Sequence, residues 1–258
     1  MRYGYAVWLL ASLATAVLAA PTQTKRDAAT STTWTPTLAG YFDTVYKYIE
    51  EVKRSNGSGP TCDLSKAKMP AGTTPLPSPD GLTLAHVAVG RGVQNYTCAN
   101  STATPAAVGA VASFYNASCV AADYPDLLEL MPGVALSFPV PTGNSLLEPS
   151  ALGLSSHHFF SNTTTPVFAF DVPTGPQLGT VMGQKVHDCP APVNAVVGPN
   201  GKGNGAVAWL HITARSTTVG NIKAVYRLST AGGSPPATCA GQPAAFSQDY
   251  SAIYWFWE

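Results

Sequence analysis

The chain has 258 residues, of which 45% are hydrophobic and only 11% charged, and its 14 basic residues balance 14 acidic ones. That length supplies one large domain with a substantial core. The charge balance excludes nucleic-acid recognition, which needs clustered Lys and Arg to displace counterions from phosphates.

In chain order, the first element reads as a secretory signal peptide over residues 1–20: Arg2, an apolar run from Tyr3 to Leu10, and small residues from Ala11 to Ala20. A short pro-segment, 21–26, ends in the dibasic pair Lys25-Arg26, so the mature chain is expected to begin at Asp27 with a net charge of −3. No later apolar segment approaches the roughly 18 to 20 residues that span a bilayer, and the expected location is secreted, extracellular or cell wall. Residues 27–59 read as a Thr- and Ser-rich arm, an amphipathic helix and a linker. In the helix, Leu38, Phe42, Val45, Ile49 and Val52 recur every three or four residues, with Thr35 as cap, Pro36 in the first turn and Asn56-Gly57-Ser58-Gly59 as the stop.

Past Pro60 the pattern is that of β structure. Apolar runs rich in Val, Phe, Tyr and Thr at 82–90, 92–98, 106–115, 157–160, 166–171, 178–186, 206–214, 219–228 and 250–257 alternate with Pro and Gly clusters. One internal helix is expected over Asp123 to Met131, stopped by Pro132-Gly133. The fold expected for 60–258 is therefore a single all-β domain, an antiparallel β-sandwich or barrel. The glycine-rich stretch Gly198 to Gly205 precedes a strand rather than a helix, so it reads as a hairpin loop and not as a dinucleotide loop.

Five cysteines entering an oxidising compartment allow two disulfides and one free thiol. The expected pairs are Cys98–Cys119, closing a loop of about 20 residues worth about 3 kcal/mol, and Cys62–Cys239, leaving Cys189 unpaired. Five sequons mark Asn56, Asn95, Asn100, Asn116 and Asn162 as candidate glycosylation sites.

Chemistry-bearing motifs are sparse. His86, His157, His158, His187 and His211 have no metal-ligand spacing, and neither a metal nor a cofactor is expected. Asp123, Asp126 and Glu129 read as helix-start charges. On the last strand, Ile253, Trp255 and Trp257 share one face, while Tyr250, Tyr254 and Phe256 share the other. Trp255 and Trp257 are candidate sugar-stacking residues, against a buried central strand as the alternative.

Several segments together carry a resemblance: Gly90-Arg91-Gly92-Val93-Gln94-Asn95-Tyr96-Thr97-Cys98, His158-Phe159-Phe160 followed by Pro166-Val167-Phe168, Ala208-Trp209-Leu210, Tyr226 to Gly233 with Pro236 and Cys239, and the closing Tyr250 to Phe256. Over about residues 60 to 258 the chain resembles the uncharacterised family catalogued as domain of unknown function 3455, of the secreted fungal type. It departs from that family at Tyr226, Ser229 and Ile253, where Gln, Asn and Asp are usual. The resemblance implies no catalytic residues, and the malate dehydrogenase label borne by some relatives meets no nucleotide-binding βαβ unit here.

Two functions follow as expectations. The first is an extracellular or cell-wall binding or structural protein, with polysaccharide or a small ligand as partner and Gln94, Arg227, Trp255 and Trp257 as candidate contacts. The second is a hydrolase or other small-molecule enzyme using His158, Arg91 and Asp171 or Asp188. Convergence of those side chains in one concave pocket favours the enzyme.

Overall fold

The computed structural model describes residues 34–54, 62–72 and 74–258. The expected signal peptide, pro-segment, most of the arm and the Asn56 sequon lie outside them. Eight strands form a closed antiparallel barrel in simple chain order: β1 (Leu84–Thr97), β2 (Ala106–Asn116), β3 (Leu154–Asn162), β4 (Thr165–Ala169), β5 (Thr180–Cys189), β6 (Trp209–Ala214), β7 (Ala224–Gly232) and β8 (Ala245–Trp257). Of the two architectures expected, the barrel is therefore the one formed. Every strand pairs antiparallel with its neighbour in sequence, and β1 closes the ring on β8 from Leu84↔Trp257 to Thr97↔Ala245.

The expected runs 82–90 and 92–98 are one strand, because Gly90-Arg91-Gly92 continues β1 instead of turning it. Gly90 is there for space. A Cβ at that position would stand 2.7 Å from the Tyr254 ring and 2.8 Å from the Phe114 ring, both inside the barrel. The interior is an apolar core from alternate strand residues, rich in rings that include Phe114, Phe168, Phe170, Tyr250, Tyr254 and Phe256.

The outer face of β1, β7 and β8 is also buried. Val87, Val89, Tyr226, Leu228, Ile253 and Trp255 pack under three helices, α1 (Pro36–Arg54), α2 (Ser118–Asp123) and α3 (Pro125–Ala135), so the last strand is apolar on both faces. Thr35 caps α1 as expected, its Oγ1 accepting from the Leu38 amide. The buried stripe of α1 is Leu38, Tyr41 and Val45, however, and Phe42 and Ile49 face outward. Where one internal helix was expected there are two. The second runs through Pro132 and Gly133 to Ala135, because burial of Leu128, Met131 and Val134 outweighs the one backbone bond that proline removes.

The disulfides correct the expected pairing. The bonds are Cys62–Cys119 and Cys98–Cys239, and Cys189 is the free, buried cysteine. Cys98 follows the end of β1 at the hairpin into β2, whereas Cys119 lies past the far end of β2. The 11 residues of that strand hold the two apart by on the order of 35 Å. The β1–β8 pairing instead brings Cys98 beside the β7–β8 connection that carries Cys239.

Candidate functional site

One end of the barrel interior is filled by aromatic rings; the other holds a cavity of about 490 Å³. Its mouth is formed by exposed residues: Ala107, the β3–β4 turn at Thr163 and Thr164, and Gln184 and Lys185 of β5. Its floor and walls are buried, with Pro166, Phe168 and Ile212 apolar and His158, Arg227 and Tyr254 polar, and the half-buried Leu210 completes the lining. Strand register brings the polar three together. His158 faces Phe168 across β3–β4, Leu210 faces Arg227 across β6–β7, and Arg227 faces Tyr254 across β7–β8.

His158 is fixed in one tautomer. Its Nδ1 lies 2.8 Å from the Val167 carbonyl oxygen, which can only accept, so the proton sits on Nδ1 and Nε2 keeps its lone pair. Burial, with a smaller contribution from the Arg227 charge, pushes its pKa down to about 4, and the neutral ring stacks on Phe168 at 4.6 Å.

Arg227 is 9% exposed and has no carboxylate within 4 Å among the described residues. Its Nε and Nη2 donate to the Ala208 carbonyl at 3.3 and 2.9 Å, and Tyr254 is its register partner across β7–β8. Tyr254 is in turn 3.0 Å from the Tyr250 hydroxyl; burial raises the pKa of both phenols. The residues lining the cavity include Arg227, Arg215 and Lys185 and no aspartate or glutamate.

The other candidates lie elsewhere. Arg91, 1% exposed, points out of the barrel toward α3. It donates to the carbonyls of Ala135, Phe138, Gly92 and Tyr250 and pairs with Asp249 at 2.9 Å. Asp171 pairs with His157 in an exposed groove along β3, and Asp188 pairs with Lys185 beyond the cavity mouth. The set His158, Arg91, Asp171 and Asp188 therefore does not converge. Gln94 is buried and its Nε2 meets no acceptor among the described residues, but it does not line the cavity. Trp255 is 1% exposed and Trp257 is half-buried against the same hydrophobic cluster, so they form no open stacking row. The Cys189 thiol lies in the core with its pKa raised by burial, which leaves it a poor nucleophile.

Tyr254 was not singled out from the sequence as a polar site residue. The signal available was its place on the face of β8 shared with Tyr250 and Phe256; what that face encloses is set by barrel closure. Among the described residues no group of three or more His, Cys, Asp or Glu is arranged to hold a metal ion.

Residues 77–258, all eight strands included, match the family described as Protein of unknown function (DUF3455). The chain belongs to this family. The DUF3455 region begins where a second match, to Protein of unknown function (DUF2990), ends: that one covers residues 11–77. At the junction the Tyr226 hydroxyl of the barrel donates to the Pro77 carbonyl at 2.8 Å. No curated protein and no solved structure matches the chain.

Proposed function

We propose that this DUF3455 protein is an extracellular binding protein that holds a small, largely apolar molecule inside its barrel. The carrying observation is the cavity itself. An eight-stranded barrel has an interior just wide enough either to be filled by side chains or to hold one small ligand. Here one end is filled and the other is left open over about 490 Å³, within the range of small-molecule sites. Apolar walls with a few convergent polar groups are the usual composition of such a site. Export is supported by the signal-like leader, the two disulfides, the exposed sequons at Asn100, Asn116 and Asn162, and the absence of any helix among the described residues long and apolar enough to cross a membrane.

Binding is favoured over hydrolysis because no Ser, Cys or carboxylate nucleophile lines the cavity beside His158, whose Nδ1 is oriented by a carbonyl and not by an acid. A surface for polysaccharide finds less support, since of its candidates Trp255 is buried and Trp257 is half-buried against the core.

The test uses the neutral fluorophore N-phenyl-1-naphthylamine and the purified secreted protein. Saturable enhancement at one site per chain, abolished when the exposed mouth residue Ala107 is changed to Trp, is expected. No enhancement with protein shown folded by circular dichroism would rule the reading out.

A further inference from the structure

Building on the cavity reading, we infer that the ligand carries a carboxylate, and that Arg227 is the residue that receives it. A buried cation is tolerated when an opposite charge or a full set of acceptors offsets its lost hydration. The chain contains both a satisfied and an unsatisfied example. Arg91 has Asp249 and four carbonyls around it. Arg227 is nearly as buried, yet among the described residues the oxygen it donates to is one neutral carbonyl, that of Ala208.

A guanidinium has five N–H donors. The Ala208 carbonyl takes two of them, so most of the fork is left over at the wall of a cavity that is otherwise largely apolar. One positive charge, a planar fork and surrounding Leu210, Ile212 and Pro166 match a monoanion with a planar head and an apolar body, which is a carboxylic acid in its ionised form. Arg215 attracts the same sign of ligand, Lys185 at the mouth being paired with Asp188, and no carboxylate side chain lines the cavity to repel it. His158 adds a selectivity of its own. Its bare Nε2 is an acceptor, so it favours a ligand hydroxyl or N–H near the head group over a second anionic oxygen.

Displacement of N-phenyl-1-naphthylamine by octanoate and by 1-octanol, at pH 7.5 and constant ionic strength, separates charge from apolar burial. For the unmodified protein octanoate is expected to displace the probe at a concentration at least about tenfold lower than octanol. In Arg227→Met that advantage disappears while probe and octanol still bind, and Arg227→Lys retains part of it. Equal displacement by acid and alcohol in the unmodified protein, or an octanoate advantage that survives Arg227→Met, would overturn the carboxylate assignment and leave the binding barrel standing. A folded protein that takes up neither the probe nor octanoate, the latter followed by calorimetry, overturns both.

Discussion

Arg227 and Tyr254 are direct partners in the register between β7 and β8, and both side chains line the same cavity inside the barrel. With Tyr250 bonded to Tyr254, they make a polar wall beside the apolar and aromatic side chains of the interior. The arrangement is energetically unlike that of Arg91, whose charge is compensated on every side.

The contrast predicts opposite responses to the same substitution. Arg91→Met removes five bonds, three of them fully buried, and is expected to cost about 3 kcal/mol or more. Arg227→Met removes an uncompensated buried charge along with its bonds to Ala208, and is expected to leave stability within about 1 kcal/mol. Urea unfolding of the two variants side by side reads the difference; equal losses would mean that Arg227 is a structural arginine like Arg91.

Acid sensitivity follows from His86 and His158, which burial holds at a pKa of about 4 against an ordinary value of 6.5. Between these values the unfolded chain binds a proton that the folded chain does not. Stability is therefore full above about pH 6.5 and falls as the pH drops toward 4, by on the order of 3 kcal/mol per histidine. A urea midpoint that stays flat from pH 7.5 to 4.5 would contradict this.

Peptide mapping without reduction is expected to recover Cys62 linked to Cys119 and Cys98 linked to Cys239. The second bridge spans 141 residues, and its removal by Cys98→Ala with Cys239→Ala is expected to cost about 5 kcal/mol in the chain-entropy model, more than removal of the first, which spans 57. A smaller loss from the longer bridge would argue against loop closure as its main contribution.

Gly90→Ala introduces a methyl into space already held by Phe114 and Tyr254. Overpacking of this kind costs typically about 1–3 kcal/mol. Because Tyr254 is one of the two rings displaced, the variant should also weaken probe binding in the cavity; a stable Gly90→Ala protein with unchanged binding would show that the rings move aside freely.

Much of the fold was legible in the residues, since each strand lies within or beside an apolar run bounded by Pro and Gly. His158 and Arg227 could be named as polar groups among apolar strands. Their meeting could not, and β7 shows why. One extra residue is accommodated between Leu228 and Ala231, where Ser229 adopts φ 46°. Strict alternation counted back from Gly232, which pairs with Tyr250 on the inner face, would turn Arg227 outward; the bulge turns it in. Strand direction likewise decided the disulfides, because pairing by shortest loop ignored the length of β2 that separates Cys98 from Cys119.

The seam between β1 and β8 also sets an order of events during biosynthesis. β1 emerges from the ribosome early, but its second partner is a strand that follows the other seven, and Cys98 waits for Cys239 across the same interval. The ring can close only after β8 has left the exit tunnel. Until then the residues of the future interior are accessible from the side, and closure of the β1–β8 seam is the step that separates them from solvent.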